Sequence, residues 1–197
     1  MKKYELTEET VIVSGKTLYR IRAVRDFGSV KAGDLGGYIE KEENLSHCGE
    51  AWVSDNAMVC GYAEVCGYAE VSDDAVVSGN AVVSGNARVC GEAWVCDNAE
   101  VYGNAKVSGK ACVCGDAEVS DTRHFFVQGP IGSRDGFVTF YRTKNNTVGV
   151  RCGCFSGSLQ EFVDRVEETH GGSRYEKEYK LAAELAKVCI RLEGESR

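Results

Sequence analysis

The sequence predicts a mainly β protein. One long run of very short strands is preceded by a β cap and followed by a small α+β module. Three observations carry this. Alanine recurs every six residues from Ala51 to Ala117, twelve times without a gap, and a valine stands two residues after each one, from Val53 to Val119. Two residues before each alanine stands glycine or aspartate, from Gly49 through Asp55 to Gly115. The 197 residues hold 23 glycines but a single proline, Pro130, which lies outside the repeat. Alternating inward Ala and Val suit a short strand with one buried face. Glycine and aspartate suit corners with positive φ, and proline would remove ladder donors.

Residues 1–36 come first and do not repeat. Thr10 to Val13 and Thr17 to Val24 read as strands around Ser14-Gly15-Lys16, a hairpin signal. The expected role is to cover the open end of the strand stack, because exposed strand edges invite aggregation.

The repeat unit, Ala-x-Val-small-(Gly/Asp)-x, resembles the hexapeptide repeat of left-handed parallel β-helices. The resemblance implies three hexads per triangular coil, so that residues 18 apart stack. It places a β-helix of between four and five coils over residues 37–121, with Ile39 and Leu45 of two degenerate hexads in the alanine column. The stretch Gly33-Asp34-Leu35-Gly36-Gly37-Tyr38-Ile39, followed by Glu42-Glu43-Asn44-Leu45-Ser46, resembles the entry motif of uncharacterised hexapeptide-repeat proteins of phages and enteric bacteria. That likeness covers roughly residues 1–121. It speaks for the fold and not for an activity.

Stacking defines three outward stripes. Trp52, Glu70, Arg88 and Lys106 form one, and Glu64, Val82, Glu100 and Glu118 another. The stripe Met58, Val76, Trp94 and Cys112 is apolar throughout. Such a strip is seldom left in water, so it is either an interface between copies or the seat of another part of the chain. Six of the 10 cysteines, Cys48, Cys60, Cys66, Cys90, Cys96 and Cys114, share the column after the valine, where serine fills most other places. They read as small structural residues. Cys96 stacks on Cys114 and Cys48 on Cys66. A disulfide fits the spacing, but no apolar leader opens the sequence, so a cytoplasmic site and reduced thiols are expected. No residue is assigned to a metal, and no cofactor is expected.

Residues 122–197 read as an α+β module. Phe125 to Gln128, Phe137 to Arg142 and Val148 to Cys152 are the expected strands, with Asn145-Asn146 as a hairpin turn. Ser158-Leu159-Gln160-Glu161 opens a helix to about Thr169, and Ser173-Arg174-Tyr175-Glu176 a second one to about Leu192. Tyr175, Tyr179, Ala182, Ala183, Ala186 and Cys189 are its expected buried stripe. The module resembles the C-terminal segment of hypothetical phage proteins carrying Gly-Pro-Ile-Gly-Ser-Arg and Cys-Gly-Cys-Phe.

No stretch is apolar enough for a membrane span, and a pI near 5.1 disfavours nucleic acid. Residues 129–151 differ: Arg134, Arg142, Lys144 and Arg151 face Asp135 alone. The loop Gly129-Pro130-Ile131-Gly132-Ser133-Arg134 could offer backbone N–H groups and a guanidinium to an anion. Gly129, Ile131, Gly132, Ser133, Arg134, Arg142, Lys144 and Arg151 are therefore the candidate ligand residues. The bland alternative is a glycine turn with solvated arginines. Cys152-Gly153-Cys154 is too short for a zinc knuckle, and with His170 it reads as buried thiols beside a helix end.

Many hexapeptide-repeat proteins are acyltransferases, whose resemblance implies a catalytic histidine on a coil or inserted loop. The three histidines, His47, His124 and His170, lie outside the twelve perfect hexads, and no loop interrupts these. The expectation is a non-catalytic, oligomeric binder, a dimer or trimer. The phage resemblance implies a sponge that sequesters an anionic nucleotide-like immune signal, such as a cyclic nucleotide or an ADP-ribose derivative. A structural or protein-interaction module, a DNA mimic and an acyltransferase are the alternatives.

Overall fold

A computed structural model describes residues 2–194 of the chain. Its centre is a parallel β-solenoid with three sides. Twelve two-residue strands, from β4 (Trp52–Val53) to β15 (Glu118–Val119), each pair an outward residue with an inward valine. Residues 18 apart stack on every side, as in Glu70 on Arg88 and Val76 on Trp94. Every alanine of the repeat and the valine two residues after it are buried, and together they form one continuous core. Small Ala and Val side chains are what a narrow prism can enclose at close packing.

The corners explain the glycines. All nine corner glycines, and Asp55, Asp73 and Asp97, have positive φ. At Gly79 an added Cβ would meet the Asp97 backbone N at 2.8 Å, so stacked corners leave no room for side chains on that side. The aspartates are tolerated because they bond upward. Asp73 accepts the Gly91 N–H at 2.8 Å, and Asp97 accepts the Gly115 N–H at 3.0 Å. Asp121 has extended φ, −140°, and its carboxylate caps a short 3-10 turn, Thr122–His124. There the solenoid ends.

The first coil departs from the 18-residue spacing. Ile39 pairs with Val59 and Leu45 bridges to Val65, so both stand in the valine column rather than the alanine column. Two additional residues are taken up before Gly49, which returns to the regular register beside Gly67. Buried Asn44 bridges the irregular stretch, donating to the carbonyls of Ala63 and Gly61.

At the N-terminal end, β1 (Tyr4–Val13) and β2 (Lys16–Ala23) form a hairpin. It joins β3 (Leu35–Ile39), which runs parallel to the solenoid strand of Met58. The first strand starts six residues earlier than the Thr10 expected, because Tyr4 is a core residue whose hydroxyl donates to the Leu45 carbonyl. Trp52, expected outward on a charged stripe, is buried beneath Phe27.

At the other end, four antiparallel strands order as β16 (Phe125–Ile131), β17 (Gly136–Arg142), β18 (Val148–Cys152) and β19 (Phe155–Ser158). The last of these was not expected. Helices α1 (Leu159–His170) and α2 (Arg174–Cys189) pack on this sheet. Ser158 and Glu161 form the expected capping box. Ser173 caps α2, but Glu176 reaches back to the Gly172 N–H instead of closing a box. Ala182, Ala183 and Ala186 are buried as expected; Cys189 is exposed, and Ile190 takes the core position.

The sheet seals the top of the solenoid. A terminal coil leaves orphan N–H and C=O groups. The Thr139 hydroxyl accepts the Cys112 N–H at 2.9 Å, Lys144 N–H donates to the Asp116 carbonyl, and the Arg142 guanidinium donates to the Glu118 carbonyl. Tyr141 closes the core.

Candidate functional site

The outward ladder of one solenoid side runs Tyr38, Met58, Val76, Trp94, Cys112, each in register with the next. The neighbouring outward column on the same side holds Cys60, Ser78, Cys96 and Cys114. From Met58 onward neither column carries a charge. The other two sides do, with a Glu70–Arg88 pair at 3.3 Å and a Lys144–Glu100 pair at 2.7 Å. Trp94 is 55% exposed, and Met58 and Val76 are half-buried. The C-terminal module reaches only the end of this ladder, where Thr139 meets Cys112. Cys112 thus belongs to the junction with that module, not to the open face. Tyr38, not foreseen in the stripe, extends it at the other end because of the two-residue shift in the first coil.

The expected anion pocket is not assembled. Its loop lies before Gly136; Arg142 and Lys144 lie at the far end of β17, and Arg151 stands on β18 opposite Thr139, in the middle. Six strand steps separate those ends by about 20 Å. The Gly132 N–H is already occupied, donating to Glu178 of α2 at 2.8 Å. Arg142, 4% exposed, is held by Glu118 and Glu193, and Lys144 by Glu100. These two cations hold the junction together instead of pointing at a ligand. Gly129 lies against Phe137, where a Cβ would not fit, and the Gly129–Pro130 bond is cis. Half-buried Ile131 packs into the module core, and Ser133 is exposed. Arg134 and Arg151 have no carboxylate partner among the described residues. A cleft of about 510 Å³ lies elsewhere, between the N-terminal cap and the Trp52 side. Asp34, Glu50 and Glu70 line it against one cation, Arg88, so its charge opposes an anionic ligand.

The histidines are dispersed. His47 stacks on Tyr4 at 4.4 Å and accepts the Lys3 N–H. His124 is buried and bonded to Ser120, and burial together with Arg142 pushes its pKa down. His170 packs against Tyr179. Cys152 is half-buried, and burial pushes its thiol pKa up, with the Tyr179 hydroxyl opposing. A raised pKa withholds the thiolate that a nucleophile requires.

The expectation of reduced thiols is overturned at one pair. Cys96 and Cys114 are joined by a disulfide, with Cα atoms 4.6 Å apart. Stacking brings the same column of adjacent coils to about the strand spacing, within disulfide reach. The second stack expected, Cys48 on Cys66, is not formed: Leu45 pairs with Val65 and Ser46 follows it in the column of Cys66, so Cys48 falls in the additional residues of the first coil, and both cysteines are free. Cys112 adds a third sulfur, 3.4 Å from that of Cys114. The Cys-x-Cys spacing of 112–114, combined with the 18-residue step back to Cys96, was the signal for this cluster.

These features define a β-solenoid repeat protein. A family model described as "YdcK Beta solenoid repeat" matches residues 69–85, a span of nearly one coil. No curated protein matches the chain. No helix among the described residues is long and apolar enough to cross a membrane.

Proposed function

We propose that the protein is a non-catalytic scaffold that assembles with copies of itself, as a dimer or trimer, through the uncharged solenoid side. The observation that carries this is the uncovered ladder Met58–Val76–Trp94. A second copy is the fitting occupant because two identical uncharged faces can meet without burying a charge, whereas either other side would have to bury charged side chains. The unbroken coils and dispersed histidines favour a scaffold over an acyltransferase. Sedimentation equilibrium tests the reading. A mass that is a multiple of 21.4 kDa supports it, and a monomer at tens of micromolar overturns it.

A second reading keeps the sponge, a phage-encoded protein in the host cytoplasm sequestering a nucleotide-like signal. Its support is now Arg134 and Arg151, the two cations of the candidate set without a carboxylate partner. Thermal-shift screening against cyclic dinucleotides and ADP-ribose derivatives tests it. Stabilisation that is lost in Arg134→Ala or Arg151→Ala supports the sponge, and no stabilisation by any of them removes it.

A further inference from the structure

The sulfur cluster at the last two coils has more members than a disulfide needs. Cys112 and Cys114 are two residues apart on one strand, so both point to the same side, and Cys96 stands directly beneath Cys114. The three sulfurs all lie within 4.8 Å of one another. Three thiolates holding one zinc-class ion at about 2.3 Å would be about 3.8 Å apart, so the cluster needs only side-chain rotation to fit. Cys114 is wholly buried, while Cys96 and Cys112 are half-buried and leave an approach. An oxygen donor stands beside them. The Asp97 carboxylate is 3.9 Å from the Cys96 sulfur and is fixed by the Gly115 N–H. Arg151 beside Cys112 offsets the negative charge of such a set.

We propose that this corner is a redox-gated site for a thiophilic d10 cation of the zinc class, closed while Cys96 and Cys114 are bonded. Opening requires a dithiol reductant. It delivers two electrons and two protons to the disulfide, yielding two thiols, and is itself oxidised to a disulfide. The cation then binds Cys96, Cys112 and Cys114 as thiolates, with Asp97 at the fourth position, and three thiol protons are released to solvent. Softness selects the cation, since three sulfurs disfavour magnesium and calcium. The site stands on the solenoid corner and does not depend on self-assembly.

The test uses cobalt(II) as the probe, because its charge-transfer absorption reports thiolate ligands. Dithiothreitol-reduced, desalted full-length protein should develop this absorption, saturating at one equivalent and bleached by zinc. Oxidised protein should not. Cys112→Ser should abolish the band, while Cys90→Ser and the double variant Cys152→Ser/Cys154→Ser should keep it. Should Cys112→Ser fail to fold by circular dichroism, Cys96→Ser carries the same expectation. No band in the reduced protein, or an unchanged band in the folded Cys112→Ser or Cys96→Ser variant, overturns the site.

Discussion

The hydroxyl of Thr139 accepts the backbone N–H of Cys112 at 2.9 Å, across 27 residues of chain. In every lower coil of this side the equivalent N–H bonds to the next coil's carbonyl, as Trp94 does to Ala111. Thr139 therefore stands in for a coil that is not there. It is 1% exposed, so no water can replace it. Thr139→Val keeps the shape and leaves a buried donor unpaired. The expected cost is about 1–3 kcal/mol. Urea unfolding should show it, and hydrogen exchange should place the loss of protection at residues 111–119 rather than at the N-terminal coils.

The corner column yields a contrast between two glycines. Gly79 and Gly109 have nearly the same φ, +71° and +68°. An added Cβ at Gly79 would press on the Asp97 backbone, whereas at Gly109 it meets nothing within 4 Å. Gly79→Ala should therefore destabilise by more than the roughly 1 kcal/mol of the dihedral alone. Gly109→Asn should be close to neutral, because asparagine tolerates the left-handed region. Thermal unfolding of both variants checks the gap between them, which shrinks to the roughly 1 kcal/mol of the dihedral alone if corner stacking is unimportant.

Lys3 gives the stability a dependence on alkaline pH. Its ammonium is buried, donates to the Ala51 carbonyl at 2.7 Å and lies over the Phe27 ring. Burial, assisted by Arg25, lowers its pKa from 10.5 to about 8. Between those values the unfolded chain binds the proton that the folded chain has lost, so this group's contribution to stability rises with pH. Below about pH 8 its full penalty is present. The melting temperature of the wild type relative to Lys3→Met should accordingly increase from pH 8 to pH 10.5. Taking the difference between the two proteins removes groups common to both, such as Tyr4, whose pKa burial shifts upward. Parallel curves would contradict the assignment.

What the sequence reveals here follows from what an 18-residue period encodes. It fixes which residues of the repeat are neighbours, so the Ala–Val core, the glycine corners and the stripe from Met58 to Trp94 are readable without coordinates. It is silent on contacts made by the flanks. Nothing near Gly132 in sequence indicates that Glu178, 46 residues on, takes its N–H. Nothing near Trp52 indicates that Phe27 covers it. The shift that brings Tyr38 over Met58 depends on two additional residues absorbed between Leu45 and Gly49, which a strict hexad count passes over. The Cys96–Cys114 bond is within reach of the stacking argument; the expected compartment speaks against it, a consideration weaker than a 4.6 Å Cα separation.

The self-assembly reading rests on Trp94, and one substitution there tests it most directly. Trp94 is 55% exposed within the chain, so Trp94→Glu should leave the melting temperature of the isolated fold nearly unchanged. In an assembled face the same glutamate would be buried opposite another apolar surface without a partner, which is strongly unfavourable. Light scattering coupled to gel filtration should show the wild type as a dimer or trimer and Trp94→Glu as a folded monomer of 21.4 kDa. A wild type that is already monomeric, or a Trp94→Glu variant that stays assembled, would contradict the account.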